Sequence, residues 1–522
     1  MTDDEQSPTV DPGATHLLER ALEEHEGELL SKPNVTGIAI GHRLREGKET
    51  AERVITVYVS RKVPKSQLTV KERIPQRVGT GDEQVPVDVV EQTMRFVRGT
   101  PGAAGWSQFH ADGRNQGSRF VATPFALEPA WEAEVQSSRF GSPVIGPDGT
   151  IYVGTEGGDI VGINPDGTEK CRARTSFEIL SSLAVADNGL IYAVGTLFFD
   201  DAEFSFDSFR STLIVLTPDC IIRKLTSIPN GYTSGSPKIW FSGRENFVFL
   251  YANTRPDSLP ARTSALFVFD GNGELVARRD FICRFPVTGG PSIFELFKDF
   301  LDILFPGFDP TGALPPHVYL WMDPTVTVVD DARVTGAGSA VIVVPDHRCS
   351  NVHALRWTPP DLHPLWTVDE GDNDFRLRSS MTYVDSTRSV VGGRNDGKVI
   401  SYELATGNQM WIYDAGDAVF GTPATLGALI YMTSREHIHI LDQATGERLN
   451  QRKLEGVTHR SPVLSGNKVY VSHWRGLQTF TLNLASYSNY GERGGFTTTA
   501  IAPDGTVYGI SRGRLVAFAP RT

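Results

Sequence analysis

The feature that most constrains this chain is a unit of sequence that recurs along its C-terminal three quarters. Three copies are clear, at 142–171, 379–411 and 422–449, and weaker copies begin near Ser181, Ser236, Ser461 and Thr498. Each copy starts at a small residue, in several copies next to a proline, and continues as four short apolar runs separated by turns. A period of about 40 residues is the length of four short strands with their connecting turns. The repeat therefore predicts a series of four-stranded antiparallel sheets.

The turns within the repeat have the residues that tight hairpins need. The segments PDG (147–149 and 503–505), NPDG (164–167) and ATG (405–407 and 444–446) place glycine where the backbone must adopt a positive φ. The runs between them are rich in β-branched and aromatic residues, which pack well on half-buried sheets. With one further copy and an insertion between 286 and 369, the chain holds eight copies, and seven is the alternative count.

The two ends of the repeat region complement each other. The last copy stops after its third strand, at 514–520, whereas residues 129–135 resemble an isolated fourth strand. Pairing these two segments would close a ring and remove its exposed sheet edges. The predicted fold is mainly β, an eight-bladed β-propeller spanning 129–522. We expect the insertion at 291–317 to contain a short amphipathic helix.

The first 95 residues predict a separate small α+β domain. After a disordered tail (1–13), residues 16–32 have apolar positions at helical spacing. Strand-like runs follow at 35–44, 53–62 and 85–91, with a polar stretch at 64–75 that we expect to be helical. Residues 96–128 form a predicted linker and strap between the two domains.

Composition and cysteine usage limit the classes of function. The net charge of −12 argues against broad nucleic-acid binding, and no apolar stretch reaches transmembrane length. The N-terminus lacks the basic and apolar regions of a signal peptide and has no lipidation cysteine. We therefore expect a cytoplasmic protein whose four cysteines, Cys171, Cys220, Cys283 and Cys349, are reduced thiols.

The repeat resembles that of pyrroloquinoline-quinone (PQQ)-like propellers, and 106–117 resembles the segment that precedes many of them. That family includes quinoprotein dehydrogenases and non-catalytic propellers of outer-membrane assembly. The resemblance implies adjacent cysteines and export for a quinoprotein, and this chain has neither feature, so we expect no PQQ and no other cofactor. The N-terminal domain resembles the segment ahead of some bacterial trypsin-like proteins. Because the chain contains no GDSGG motif, a serine protease is not expected.

A set of cationic and aromatic residues occupies one predicted face of the propeller. In a propeller the turns between second and third strands share a face with the links that enter each first strand. The candidate binding residues on this face are Arg348, Arg394, Arg435, His459, Arg460, Trp474, Arg475 and Arg512. Arginine binds carboxylates and phosphates with two parallel hydrogen bonds, so an anionic ligand or partner surface fits this set. The alternative interpretation is that these arginines are ordinary residues of exposed turns.

These patterns lead to one main functional hypothesis and several alternatives. The main hypothesis is a non-catalytic binding or scaffold protein whose propeller face meets another protein or a small anionic ligand, with no catalytic residues, no metal and no transmembrane segment. The alternative is a hydrolase or lyase with a site in the central funnel, which requires His459, Arg435, Arg475 and a carboxylate to converge. A PQQ-dependent dehydrogenase and a protease-associated accessory protein rank below these two.

Overall fold

The computed structural model describes residues 17–91 and 106–520, apart from 19, 22–23, 26–27, 30–31, 33–34, 46–47, 60–61, 80–82, 137–140, 199–208, 255–262, 283–323, 337, 348, 371–378 and 492–494. These residues form nine sheets, one in the N-terminal region and eight in the repeat region. The prediction of a mainly β fold is confirmed. The tail 1–13, the insertion 291–317 and Arg348 lie outside the described residues. Among the described residues no helix is long and apolar enough to cross a membrane.

The N-terminal domain is a four-stranded mixed sheet covered by helical residues. Its strands lie in the spatial order Val35–Arg45, Lys48–Val59, Val85–Glu91 and Arg77–Val78, and the middle two pair in parallel. Helical positions between 17 and 29 pack Leu18, Ala21 and Leu29 against the apolar face of this sheet.

The prediction of a helix at 64–75 is wrong. This stretch contains only a 3₁₀ turn, Lys65–Gln67, followed by further turns. Two prolines, Pro64 and Pro75, limit the stretch, and the adjacent Thr69 and Val70 are β-branched, so a longer helix is disfavoured.

The eight sheets of the repeat region, here called blades 1 to 8, are antiparallel throughout. Their strands, in order within each blade, are as follows. Blade 1 contains Val144–Ile145, Ile151–Gly154, Asp159–Ile163 and Glu169–Arg174. Blade 2 contains Ala184–Val185, Ile191–Phe198, Phe209–Leu216 and Ile222–Ser227. In blade 3, Gly231–Tyr232 and Lys238–Phe241 both pair with Asn246–Thr254, which is followed by Thr263–Asp270 and Leu275–Ile282.

The remaining five blades follow the same order. Blade 4 contains Thr327–Val329, Ala340–Asp346, Asn351–Thr358 and Asp361–Asp369, with a short helix at Ala332–Thr335. Blade 5 contains Thr382–Val384, Ser389–Gly393, Lys398–Glu403 and Gln409–Asp414. Blade 6 contains Ala424–Leu426, Leu429–Thr433, His437–Asp442 and Arg448–Lys453. Blade 7 contains Val463–Leu464, Lys468–His473, Gly476–Thr481 and Tyr487–Gly491. Blade 8 contains Ala500–Ile501, Val507–Ser511, Arg514–Phe518 and, from far earlier in the chain, Trp131–Glu134.

Shared hydrophobic clusters join the blades into a ring. Each neighbouring pair from blades 1 and 2 to blades 6 and 7 contributes to a common buried cluster. A last cluster combines Tyr470 of blade 7 with Phe518 of blade 8 and Ile145 of blade 1. The apolar face that no single blade could bury is therefore covered by its neighbours around a closed ring.

Tryptophans on three outer strands dock onto the next blade. Trp131, Trp366 and Trp411 each donate their indole N–H to a backbone carbonyl in the turn between the third and fourth strands of the following blade, at 3.0, 2.8 and 3.0 Å. Each indole lies against the glycine of that turn; at Gly446, which has a φ of +71°, a methyl group would come within 2.5 Å of the Trp411 ring. The glycine of the predicted turn thus provides both the backbone conformation and the space for the indole.

Cys171 replaces this tryptophan contact between blades 1 and 2. It lies on the fourth strand of blade 1 and forms a disulfide with Cys220, in the turn between the third and fourth strands of blade 2, with the Cα atoms 5.7 Å apart. Cys349 is also disulfide-bonded. The prediction of reduced thiols is therefore wrong for these three cysteines, and Cys283 lies outside the described residues. Cys171 and Cys220 are separated by 49 positions in the chain but are adjacent in the ring, and spacing along a sequence cannot show this proximity.

Candidate functional site

A strap closes one end of the ring. The first strands of blades 1 to 7 each donate one backbone N–H to residues 106–117: Ile145 to Trp106, Val185 to Ser107, Ile239 to the Gln108 side chain, Val328 to Gly113, Tyr383 to Arg114, Thr425 to Gln116 and Leu464 to Gly117. The distances are 2.7–3.0 Å. The strap thus satisfies backbone donors that would otherwise line an open channel. We call this side, which also contains the turns between first and second strands, the strap face.

Buried charges hold the strap in place. Arg114 donates to Asp330 at 2.6 Å and to Asp385 at 2.8 Å, joining the strap to blades 4 and 5. Lys238 donates to two strap carbonyls, and its burial lowers its pKa to about 7. Burial also raises the pKa of the Asp385 carboxyl, although Arg114 opposes that shift. These groups neutralise one another within the strap face, so they do not form an open site.

A ring of serine and threonine residues lies just before the first strands of the blades. A serine or threonine stands two residues before the first strand of every blade, at Ser142, Ser182, Ser236, Thr325, Ser380, Thr422, Ser461 and Thr498. Five of these residues donate their backbone N–H to the hydroxyl of the next blade, at 2.8–3.1 Å. Sequence reasoning missed this ring, although the recurrence of a hydroxyl at one repeat position was visible.

The links between blades and the turns between second and third strands form the opposite face, here called the upper face. Backbone hydrogen bonds hold each link against a neighbouring turn, as from Ile179 to Thr155, Val419 to Arg394, Thr458 to Arg435 and Trp474 to Val457. A residue in such a turn and a residue in the adjoining link therefore lie close together. This geometry explains why side chains that are far apart in the sequence meet at the blade junctions.

The structure places each described candidate residue on the upper face. Arg394, Arg435, Trp474, Arg475 and Arg512 lie in turns between second and third strands, whereas His459 and Arg460 lie in the link that enters blade 7. Their surroundings differ. Trp474, Arg475 and Arg512 are exposed. Arg394 is only partly exposed, and its guanidinium donates to Glu370 at 2.5 Å and to Asp396 at 2.8 Å.

Arg394 must therefore be set apart from the other arginines as a structural residue. Two carboxylates neutralise its charge, and Glu370 belongs to the acidic run 369–374. The sequence could not show this pairing, because Glu370 reaches Arg394 from the link that precedes blade 5. Leaving either member of this buried pair alone would be costly, so Arg394 contributes to the stability of the upper face.

Arg435, His459 and Arg460 come together at the junction of blades 6 and 7. Burial lowers the pKa of His459 to about 3, with further lowering by the positive charges of Arg460 and Arg435. Burial also lowers the pKa of Arg460 to about 10. The Phe420 ring packs edge-on against the His459 ring, with the centroids 4.7 Å apart. We call these four residues the cationic pocket.

One carboxylate of the described residues approaches Arg435 of the cationic pocket. Asp417 lies 4.0 Å from Nη1 of Arg435, at the limit of an ion pair, and Nε of Arg435 is buried without a hydrogen-bond partner in the described part of the chain. Arg475, the other residue expected to converge here, is not among the charges that affect His459. Of the three basic residues expected to converge in the central funnel, Arg435 and His459 thus lie together, and Arg475 does not join them.

A contrasting acidic pair occupies the equivalent junction of blades 1 and 2. Glu178 lies in the link that enters blade 2, and Glu156 lies in the turn of blade 1 that this link contacts. Burial, and secondly the charge of Glu156, raises the pKa of the Glu178 carboxyl to about 7. The upper face therefore has opposite charges at two junctions, and Glu178 is a group that can gain or lose a proton near neutral pH.

His439 bonds through its ring nitrogens to Tyr413 and Ser434, both at 3.0 Å, so it is a buried structural residue. No group of three or more histidine, cysteine, aspartate or glutamate side chains in the described ranges has an arrangement suited to a metal.

Comparisons with known proteins agree with this architecture. Residues 376–522 match the family model described as outer membrane protein assembly factor BamB. The repeats in this part of the chain are similar to those of that family. The structure of BamB from Moraxella catarrhalis is 15% identical, covers 76% of this chain and 98% of its own, and has a TM-score of 0.50. The quinohemoprotein alcohol dehydrogenase from Comamonas testosteroni is 11% identical, covers 80% of each chain and has a TM-score of 0.57. Likeness at these identities shows the propeller fold alone.

Two further matches concern shorter parts of the chain. Residues 17–90 match the NARROW LEAF 1 N-terminal domain. This finding corrects the resemblance to a segment ahead of trypsin-like proteins. A tetrathionate hydrolase from Acidithiobacillus ferrooxidans is 29% identical over 134 residues, which are 24% of this chain and 27% of that protein. The match thus spans about a quarter of this curated relative.

Proposed function

We propose that this chain is a non-catalytic binding scaffold that presents its upper face to an anionic surface of a protein partner. The observation that carries the proposal is the cationic pocket, flanked by the exposed Trp474 and Arg475 of blade 7. Aromatic and arginine side chains are the residue types most enriched at the energetic centres of protein interfaces. The match to the outer membrane assembly factor family supports a binding role.

The electrostatics of His459 also favour binding over catalysis. A general base works best when its pKa lies near the working pH. With a pKa of about 3, His459 is neutral at pH 7 and is a weak base. The pocket can attract an anion, but His459 is poorly suited to remove a proton from a substrate.

Co-purification from the native host tests this proposal. Wild-type protein is compared with the triple variant Arg435→Ala, Arg475→Ala, Arg512→Ala and with Arg244→Ala, a matched control on an exposed turn of the strap face. Arg394 is left intact because its loss would leave the carboxylates of Glu370 and Asp396 without their cation. We expect a partner to be retained by wild type and control and lost by the triple variant. An identical set of partners on all three proteins would contradict the proposal.

A second candidate function is hydrolysis of an anionic substrate, which the partial match to tetrathionate hydrolase favours. Glu178 has a pKa of about 7 and is a candidate acid–base group on the upper face. Incubation with tetrathionate, followed by measurement of its consumption, tests this function directly. Turnover by wild type that is lost in Glu178→Gln would establish the enzyme, whereas no turnover would leave the scaffold function.

We also propose that the chain binds no PQQ. Two adjacent cysteines are the feature expected of a quinoprotein, and no two of the four cysteines are adjacent in this sequence. Titration of the purified protein with PQQ, followed by absorbance, should show no saturable change, and a stoichiometric endpoint would contradict this expectation.

A further inference from the structure

We propose that the cationic pocket at the junction of blades 6 and 7 is a specific binding site for a small oxyanion group, such as a phosphate, sulfate or carboxylate. The inference deepens the proposed function, since it names the chemical group that the upper face recognises. A general attraction of acidic surfaces would involve every exposed cation of the face. The oxyanion site instead depends on particular side chains, with Arg435 as the central one.

The backbone fixes the two segments that form the pocket. The Thr458 N–H donates to the carbonyl of Arg435 at 2.8 Å, which ties the link to the turn of blade 6. The Thr433 hydroxyl donates to the carbonyl of Arg460 at 2.8 Å, and the Arg460 N–H donates to the Thr458 hydroxyl at 2.9 Å. Gly421 permits this approach, because a methyl group there would lie 2.6 Å from the Arg460 carbonyl oxygen. The backbone that bears the cations is therefore held in place before any ligand arrives, which reduces the entropy lost on binding.

The composition of the pocket matches an oxyanion. Arg435 is partly exposed, with 31% of its side chain accessible, and its nearest described carboxylate is at 4.0 Å. Its guanidinium can thus present a pair of N–H donors to a ligand in the geometry that carboxylates and phosphates accept. His459 stands beside this guanidinium, and the Phe420 ring packs against the imidazole with the ring centroids 4.7 Å apart.

The positive charges around His459 also favour the binding of an oxyanion. The charges of Arg435 and Arg460 both disfavour protonation of His459. An anion placed between them would offset these charges and favour the imidazolium, so binding of the anion and protonation of His459 should be coupled. The pocket is expected to bind a given anion more tightly as the pH falls toward the pKa of His459.

Calorimetry with defined anions tests the site on the full-length protein. Sodium phosphate, sulfate and acetate are titrated separately into wild type, Arg435→Gln and Arg244→Gln in a low-chloride buffer at pH 6. Arg244 is the matched control, since it is an exposed arginine in a turn of the strap face and is not part of the proposed binding surface. We expect saturable binding of at least one anion by wild type, a loss of about tenfold or more in Arg435→Gln, and a change of less than about twofold in Arg244→Gln. The anion that binds most tightly identifies the ligand group.

Two results would overturn the inference. One is the absence of saturable binding of all three anions by wild type, and the other is an equal loss in both variants, which would indicate diffuse attraction by the charge of the whole protein. Because Arg435→Gln could disturb folding, the imidazole NMR signal of His459 is also followed in wild type during the phosphate titration, and an unchanged signal would count against the site. No partner protein is present, so failure of the pocket and failure of the scaffold function are distinguishable.

Discussion

At the scale of single residues, Glu178 offers the clearest prediction. Its carboxyl has a pKa of about 7 in the folded protein against 4.5 for an ordinary glutamate. The folded state therefore binds this proton more firmly than the unfolded state between these two values. The stabilising contribution of the protonated form is complete below pH 4.5 and is lost as the pH rises through about 7.

Replacing Glu178 with glutamine should remove this pH dependence. We expect Glu178→Gln to unfold with nearly the free energy of wild type at pH 4.5 and with about 2 kcal/mol more at pH 8, less than the full pKa shift would give because solvent screens this half-buried carboxyl. Urea unfolding at the two pH values measures the difference. Glu156→Gln serves as the control and should give a smaller gain, since burial is the main cause of the shift. Equal gains for Glu178→Gln at both pH values would contradict the assignment.

The residue scale also shows what the sequence could predict about the candidate site. The repeat register correctly places Arg435, Arg475 and Arg512 in turns of one face, because turn positions follow directly from the period. It could not separate Arg394 from them, since its neutralising partner Glu370 comes from another segment. The acidic junction at Glu178 was also missed, because burial of a single glutamate leaves no pattern in the sequence.

At the scale of elements, the contact between tryptophan and glycine joins neighbouring blades. Gly446→Ala should destabilise the protein by about 3 kcal/mol, because the methyl group would both strain a positive φ and displace the Trp411 ring. Gly416→Ala is the matched control, since its φ is +76° but no atom lies within 4 Å of the added methyl group. It should cost only about 1 kcal/mol.

Thermal or urea unfolding of the two glycine variants gives the comparison. A cost for Gly446→Ala that clearly exceeds that of Gly416→Ala would assign the excess to the indole contact. Equal costs would mean that backbone strain accounts for both and that the tryptophan does not require the glycine.

The strap is the element that links the blades through their first strands, and the Arg114 side chain joins it to blades 4 and 5. Arg114→Met should destabilise the protein by about 3 kcal/mol, because Asp330 and Asp385 would lose their cation. Adding Asp385→Asn to that variant should recover part of the loss, since one uncompensated carboxylate is removed. If the double variant is less stable than Arg114→Met when measured by urea unfolding, the charge argument is wrong.

Element boundaries were more accessible from the sequence than the contacts of the strap. Hairpin turns depend on local residues such as PDG and ATG, so their positions were predicted. The seven hydrogen bonds between the strap and the first strands depend on backbone groups, which every sequence has, and no side-chain pattern indicates their register.

At the scale of the whole molecule, the disulfide between Cys171 and Cys220 ties blades 1 and 2 together. It closes a span of 49 residues, so removing it with Cys171→Ala and Cys220→Ala should lower the free energy of unfolding by about 2–4 kcal/mol.

The described cysteines include none that is free. Thiol titration of the denatured, unreduced protein should therefore detect no reactive group, and two or more thiols per chain would contradict the pairing.

The account as a whole depends on the meeting of Arg435 and His459 at the junction of blades 6 and 7. The most direct test is the NMR titration of the His459 imidazole in wild type and in Arg435→Gln, without added oxyanions. We predict a pKa of about 3 in wild type and a higher value in the variant, because one neighbouring positive charge is removed. A pKa near the ordinary 6.5 that is the same in both proteins would show that the two side chains do not share a pocket.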